Sequence, residues 1–175
     1  MTIQVREITD SSYAQTLSDL GRRLFSDTFS DANTASNMQA YLDESYTVEI
    51  QTKELADPSM STFMAYDTEN DSPIGFCQLR QNKDVYDFIQ DPDAIELQRI
   101  YVDKRYIGKG VGKALLNSSL EKARQLGKQT MWLGVWEHNP SAISFYTRQG
   151  FYKVGSHTFK LGSQEDTDHI MIKKL

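Results

Sequence analysis

Apolar and polar positions along the chain follow two periods, which together predict a sheet flanked by helices. Short apolar or alternating runs predict strands, at residues 3–8, 62–66, 74–80, 95–102, 130–136, 151–159 and 169–172. Apolar residues at helical spacing predict helices, at residues 11–25, 111–126, 140–149 and, in two pieces, 34–57. The apolar side of the second piece is predicted to consist of Val48, Ile50 and Leu55. The polar, acidic stretch 81–93 is predicted to be a loop.

The order of these elements predicts an α/β fold with a mixed sheet and helices on its faces. Residues 62–80 are a predicted hairpin, and the last two strands flank a predicted turn at 162–168. Residues 95–136 form a strand–helix–strand crossover, which is almost always right-handed. The loop after the first strand of this crossover therefore lies at the sheet edge where open α/β sheets bind ligands.

Length and composition restrict the class of protein. The chain has 175 residues and no repeat or linker, so a single domain over 1–175 is expected. A net charge of -5 argues against a nucleic-acid partner. No apolar run approaches the roughly 20 residues that span a bilayer, and the N-terminus lacks the apolar core of a signal peptide. Cys77 is the only cysteine, which agrees with a reducing compartment, and a cytoplasmic protein is expected.

The stretch after the strand 95–102 combines glycines and cations at the start of a predicted helix. The glycines are Gly108, Gly110 and Gly112, and the cations are Lys104, Arg105, Lys109 and Lys113. The first amides of a helix have no partner within it and carry partial positive charge. The stretch is therefore predicted to bind an anion, most plausibly a pyrophosphate. The alternative is a tight turn between strand and helix with ordinary solvated lysines.

Three phosphate-binding patterns compete for these glycines. A P-loop would need glycine where Ile107 stands and Ser or Thr where Ala114 stands. A dinucleotide fingerprint would need its third glycine at Lys113, and it would follow the first strand of the chain. The third pattern, Arg/Gln-x-x-Gly-x-Gly/Ala, is matched by Arg105, Gly108 and Gly110.

This third pattern resembles the acetyl-CoA pyrophosphate loop of the GNAT N-acetyltransferase superfamily. Residues 139–151 resemble the second signature of that superfamily, Asn-x-x-Ala-x-x-Phe-Tyr-x-x-x-Gly-Phe, and residues 96–102 resemble its central strand. The resemblance implies a mixed, twisted sheet of about six to seven strands flanked by helices, with acetyl-CoA as co-substrate. Residues 25–29, 132–137 and 162–171 also resemble the bacterial Pai-type spermidine/spermine acetyltransferases.

The resemblance implies a set of residues that bind CoA. They follow the central strand, the glycine-rich loop and the second signature: Ile100, Tyr101, Val102, Arg105, Gly108, Lys109, Gly110, Val111, Gly112, Lys113, Asn139, Ser141, Tyr146 and Arg148. Along the central strand, the backbone would pair with the pantetheine arm as an added strand would. Asn139 could also serve only as a helix cap before Pro140.

Two residues are implied as catalytic. Tyr146 would donate a proton to the departing thiolate, and the alternative is an aromatic side chain packed at a helix end. Glu96 would accept a proton from the amine. The alternatives for Glu96, about as plausible, are a surface strand residue or a carboxylate that anchors the amine.

The acceptor pocket is implied to contain Phe29, Tyr41, Glu96 and Trp136, although Trp136 could equally be a core residue. Acidic residues are frequent in the segments expected to flank this pocket. Residues 26–58 contain seven acids and one base, Lys53, and residues 81–98 contain five acids and one base, Lys83. An acidic rim would attract a polycation, although charge-rich surfaces are usually only solvated.

The sequence therefore predicts an enzyme that transfers acetyl directly from acetyl-CoA to a primary amine of spermidine or spermine. Its expected partners are these two small molecules, with a homodimer as a further candidate assembly. The alternatives are acetylation of protein N-termini or of another small amine, and a catalytically silent acetyl-CoA-binding regulator, for which Tyr146 would be unnecessary. Cys77 is predicted to be buried rather than an acetyl carrier. The three histidines lack metal-ligand spacing, so no metal is expected.

Overall fold

The computed structural model describes residues 1–82 and 84–175. The strands are β1 (Ile3–Ile8), β2 (Met60–Asp67), β3 (Ser72–Arg80), β4 (Ile95–Val102), β5 (Thr130–Trp136), β6 (Tyr152–Leu161) and β7 (Gln164–Lys174). The α-helices are α1 (Ala14–Phe29), α2 (Ala35–Ser45), α3 (Val48–Ala56), α4 (Val111–Gln125) and α5 (Pro140–Arg148). The strands form one sheet in the order β1-β2-β3-β4-β5-β7-β6. The pair β4–β5 is parallel and the other neighbours are antiparallel, which confirms the predicted mixed α/β fold. No helix in the described ranges is long and apolar enough to cross a membrane.

Side chains alternate between the two faces of the sheet, and each face is covered by helices. Phe63 and Cys77 belong to the apolar cluster that α4 and α5 cover. The neighbouring residues Met64 and Phe76 belong to the cluster under α1 and α2. A smaller third cluster contains Trp132 and lies against the segment that precedes β4. The sheet therefore has two packed faces, as the α/β class requires.

A β-bulge interrupts β4 at Gln98. Leu97 pairs with Leu79 and Arg99 pairs with Gln78, so Gln98 is the extra residue. Because of this insertion, Leu97 and Ile100 both pack towards the cluster under α4, although they are three positions apart. The insertion gives the second half of the strand its own alternation, and the parallel pairs with β5 end at Glu96, before the bulge.

Three local predictions were wrong. Helix α1 extends to Phe29 because its last turn packs aromatic rings, with Phe25 and Phe29 centred 4.6 Å apart. In α3 the buried side chain is Gln51, which donates from Nε2 to the Ser45 carbonyl oxygen, and Val48 is exposed. The predicted turn over 162–168 is only the two residues between β6 and β7.

Candidate active site

A cleft opens where β4 and β5 diverge. In the described part of the chain, the last parallel pair between them joins Glu96 to Trp132. Both strands continue beyond that pair, and a cavity of about 440 Å³ lies between their carboxyl-terminal halves. Backbone groups on this half of β4 therefore face the cavity instead of β5. Such groups need a partner, and an extended ligand lying along the strand could supply one.

Most of the residues predicted for the site line this cavity. They are Phe29, Ile100, Tyr101, Val102, Gly108, Gly110, Gly112, Lys113, Trp136, Asn139, Ser141, Tyr146 and Arg148. The structure thus brings the central strand, the glycine-rich loop, the start of α4 and the helix α5 to one place. Of the predicted residues, Arg105, Lys109, Val111, Tyr41 and Glu96 are not part of the lining.

The glycine-rich loop delivers the first amides of α4 to the cavity. Gly108 and Gly110 have φ angles of 80° and 89°, a region that costs other residues roughly 1–2 kcal/mol. Gly110 is the N-cap of α4 and provides no side-chain hydrogen bond to the helix. The first N–H groups of α4 are therefore oriented as an anion-binding site. Gly112 is less constrained, because a Cβ there would lie 3.6 Å from Phe145, an ordinary contact.

Arg105 organises the start of this loop. Its Nε and Nη2 donate to the two carboxylate oxygens of Asp103, at 3.0 and 2.6 Å. Arg23 donates to the same carboxylate at 2.6 Å. Hydrogen bonds from Arg105 and then Arg23 hold the pKa of Asp103 well below its usual range, in spite of burial. Neither Asp103 nor Arg23 was predicted from the sequence. The local signal for Asp103 was its place, an acid directly before the loop.

Two other predicted loop residues have side chains outside the cavity lining. The Nζ of Lys109 lies 5.2 Å from the centre of the Tyr106 ring. The side chain of Val111 is buried in the cluster under α4. The expectation that amides matter more than lysine side chains at this loop stays a prediction.

Tyr146 lies on the wall of the cavity, near the end of α5. This helix begins with Pro140, and Asn139 caps it by accepting a hydrogen bond from the Ala142 amide at 3.2 Å. Tyr146 is 8% exposed, between the rings of Phe145 and Phe151. Burial raises the pKa of the Tyr146 phenol well above its usual value, so the phenol is protonated at neutral pH and can act as a proton donor.

The structure does not bring Glu96 to the cavity. Its carboxylate accepts a hydrogen bond from Nε of Arg80 at 2.9 Å and forms an ion pair with Nη2 of Arg80 at 2.8 Å. Glu96 belongs to the paired beginning of β4, before the bulge at Gln98 and before the strands diverge. The placement therefore favours the alternative reading of Glu96, a strand residue held by a cross-strand ion pair.

The aromatic residues predicted for the acceptor side separate into two groups. Phe29 and Trp136 meet at the cavity, with their rings centred 6.0 Å apart. Tyr41 instead stacks on Phe25, with a centroid distance of 4.3 Å. Gln98, which the sequence analysis missed, lines the cavity, and its buried Oε1 has no hydrogen-bond partner among the described residues. No pattern in the sequence indicates the bulge that places it there.

Much of the predicted acidic rim is neutralised. Several of its acids form ion pairs, namely Asp43 with Arg22, Glu49 with Lys53, Glu54 with Arg99, and Glu96 with Arg80. Lys83, the base in the second acidic segment, lies outside the described residues. Paired acids attract a polycation less strongly than free ones, so net charge contributes less to acceptor recognition than the sequence suggested.

Comparison with known proteins decides the family. The model of the family described as "Acetyltransferase (GNAT) family" matches residues 19–151, which is more than half of the chain. The chain belongs to the GNAT acetyltransferase family. The predicted class of enzyme, an acetyl-CoA-dependent N-acetyltransferase, and the predicted family are therefore confirmed.

Individual relatives of this GNAT protein agree with the family match. An uncharacterized N-acetyltransferase from the pepI 3' region of Lactobacillus delbrueckii is 34% identical over 161 residues, covering 89% of this chain and 88% of the relative. The spermine/spermidine N(1)-acetyltransferase of Bacillus subtilis is 32% identical over 91 residues, covering 51% of this chain and 56% of the relative. The crystal structure of the PaiA N-acetyltransferase from Thermoplasma acidophilum with coenzyme A has a TM-score of 0.78, with 22% identity and full coverage of both chains. At that identity the last likeness shows the fold.

Proposed function

We propose that this GNAT enzyme acetylates a primary amine of a polyamine, such as spermidine or spermine, by direct attack on acetyl-CoA in a ternary complex. The observation that carries the proposal is the position of the Tyr146 phenol. It is buried and protonated on the wall of the cavity where β4 and β5 diverge. A module that only binds acetyl-CoA has no need for a proton donor there.

The residues around the cavity fit acetyl-CoA. The backbone from Ile100 to Val102 faces the cavity and can hold the amides of the pantetheine arm, as strand addition does. The first amides of α4, together with Lys113, can hold the pyrophosphate. The pantetheine arm would lie along β4 and the pyrophosphate at the start of α4, which follows β4 in the chain. The thioester end of acetyl-CoA would therefore lie away from the loop, towards the bulge in β4.

The reaction needs three proton movements. The uncharged amine forms a C–N bond to the thioester carbonyl carbon, and the C–S bond then breaks. Tyr146 donates its phenolic proton to the departing thiolate, so that CoA leaves as a thiol. The ammonium form of the amine must first lose a proton, and its nitrogen loses another after attack.

Two observations support a polyamine as the acceptor. Phe29 and Trp136 offer aromatic surface to an ammonium group at the cavity. The Bacillus subtilis relative is named for acetylating spermine and spermidine.

An acceptor panel tests the polyamine assignment. Release of CoA thiol is measured with spermidine, spermine, an aminoglycoside and a peptide with a free N-terminus. We expect kcat/KM for spermidine or spermine to exceed that for the peptide by about tenfold or more, since several ammonium groups can be held at once and the peptide N-terminus offers one. The aminoglycoside also carries several ammonium groups, and we expect it to react more slowly because its rings are bulkier than a polyamine chain. A peptide or aminoglycoside that reacts while polyamines do not would contradict the polyamine assignment and leave the family assignment intact.

A further inference from the structure

Asp168 places a carboxylate directly behind the cavity wall at Gly134. Asp168 belongs to β7, where it pairs with Trp136 of β5. Its Oδ2 lies 3.1 Å from the position that a Cβ on Gly134 would occupy. Gly134 itself lines the cavity. The nearest described atoms to that position belong to the side chains of Asp168 and Ile170. Because Gly134 has no side chain, no Cβ stands between the Asp168 carboxylate and this part of the wall.

The Asp168 carboxylate is buried without a partner. Its residue is 8% exposed, and within the described ranges no cation pairs with it and no group donates a hydrogen bond to it. Burial, followed by the nearby charge of Asp166, raises the pKa of Asp168 to about 6. A buried carboxylate without a partner is unfavourable. A protein retains such a carboxylate where a ligand supplies the positive charge that it lacks. Ionisable groups with shifted pKa values also cluster at functional sites.

Further unpartnered polar atoms lie on the residues beside Asp168. Among the described residues, six buried side-chain polar atoms lack a hydrogen-bond partner, and two of them belong to Trp136 and His157. Trp136 and His157 are the two residues opposite Asp168 on its neighbouring strands. Tyr86 packs on Trp132 and His157, with centroid distances of 5.5 and 5.3 Å. Unsatisfied groups are rare in a native core and need an explanation, and a polar ligand at this place is one.

We propose that Asp168 binds the ammonium group of the acceptor and accepts its proton. This inference rests on the proposed function and assigns the proton acceptor that Glu96, held by Arg80, does not supply. A proton passes from the ammonium nitrogen to a carboxylate oxygen of Asp168, which frees the nitrogen lone pair for attack on the thioester. After attack, the nitrogen gives its second proton to water, and Tyr146 protonates the departing thiolate. Asp168 then releases its proton to water and Tyr146 takes one back, so that one proton is released overall.

The same arrangement defines the chemistry of the ligand. A buried carboxylate beside aromatic rings favours a cation over a neutral or anionic group. Two titratable groups lie beside Asp168 in the sheet, Asp166 on its own strand and His157 opposite it on β6. The others lie near its neighbours: Tyr86 and Glu96 at the third cluster, and Glu137 and His138 after β5. Two cations pair with other acids, Arg80 with Glu96 and Lys128 with Asp93, and no ion pair among the described residues involves Asp168.

The test compares Asp168→Asn with Asp166→Asn, which removes the same charge two residues away on the same strand. For Asp168→Asn we expect kcat/KM for spermidine to fall by about 100-fold or more, with KM for acetyl-CoA within about twofold of the unmodified enzyme. For Asp166→Asn we expect kcat/KM to stay within about threefold of the unmodified enzyme, because the Asp166 carboxylate accepts a hydrogen bond from Gln164 and does not lie behind Gly134. The melting temperature of Asp168→Asn at pH 8 should be no lower than that of the unmodified enzyme, because an unpartnered buried charge is removed.

A pH profile separates proton transfer from a structural role. The carboxylate of Asp168 is ionised above its raised pKa of about 6, so kcat/KM of the unmodified enzyme is expected to fall as the pH drops below that value. Asp168→Asn should lose this acidic limb, whereas Asp166→Asn should keep it. In Asp168→Ala, added formate should restore activity in proportion to its concentration, since it can replace the missing carboxylate.

The outcomes distinguish this inference from the proposed function. If spermidine is acetylated and Asp168→Asn keeps more than a third of kcat/KM, the inference is overturned and the proposed function stands. Absence of formate rescue in a folded Asp168→Ala, with the acidic limb still present, also overturns it. If another amine reacts instead of polyamines, the same comparison is made with that amine, because the role concerns the ammonium group. If no amine reacts, both proposals fall.

Discussion

Replacing Tyr146 by phenylalanine is expected to lower kcat by about 10²–10⁴-fold, the usual contribution of a positioned general acid. The change removes one hydroxyl and leaves the ring between Phe145 and Phe151. KM for acetyl-CoA should stay within about twofold, because the phenol acts on the thiolate that forms during the reaction and not on the bound thioester. Steady-state release of CoA thiol with spermidine measures both constants.

Tyr152→Phe is the matched control for Tyr146→Phe. Tyr152 is 50% exposed at the start of β6, outside the cavity lining. Its kcat should equal that of the unmodified enzyme within about twofold, because surface substitutions of this kind have small effects. Equal kcat values for Tyr146→Phe and Tyr152→Phe would contradict the assignment of Tyr146 as the acid.

Replacing Glu54 by leucine is expected to lower the free energy of unfolding by about 3 kcal/mol. Glu54 accepts a hydrogen bond from Nη1 of Arg99 at 2.6 Å, and Arg99 is 8% exposed. Arg99 also donates to Oε1 of Gln78 at 2.7 Å. Removing the carboxylate leaves the guanidinium buried with only a neutral partner. Chemical denaturation at pH 7 measures the loss.

Two further variants identify the cause of that loss. Glu49→Leu on the same helix breaks an exposed pair with Lys53 and should change stability by no more than about 0.5 kcal/mol. Adding Arg99→Met to Glu54→Leu removes the unpaired charge and should recover much of the stability, as replacement of buried ion pairs by apolar residues often does. A loss below about 1 kcal/mol in Glu54→Leu would show that the guanidinium finds water or another partner.

The sequence predicted those parts of the site that depend on local chemistry. Gly108 and Gly110 are recognisable because left-handed backbone at the start of a helix favours glycine. Asn139 and Pro140 mark the beginning of α5 by capping preference. Tyr146 follows at a fixed distance along the same helix, so its position in the cavity could be inferred once the family resemblance was found.

Features that depend on pairing between distant segments could not be predicted in this way. Glu96 was predicted to accept a proton from the amine, and its pairing with Arg80 was not predicted. The two residues meet through the register of β3 and β4, which includes a bulge that no local pattern marks. Arg105 suggested a phosphate ligand, and its partner Asp103 was overlooked. The polar residues before His169 suggested a long turn, because their pairing with β5 and β6 is visible only in the folded sheet. For this reason the position of Asp168 beside the cavity could not be predicted from the sequence.

We propose that the amine attacks acetyl-CoA directly while both occupy the cavity between β4 and β5. Cys77 offers no acetyl-enzyme route, because it is fully buried and burial raises its thiol pKa to about 12. Initial velocities of CoA thiol release, with acetyl-CoA and spermidine varied together, test the claim most directly. Double-reciprocal lines that intersect are predicted, since both substrates must bind before reaction. Parallel lines, the pattern of an acetyl-enzyme intermediate, would contradict it.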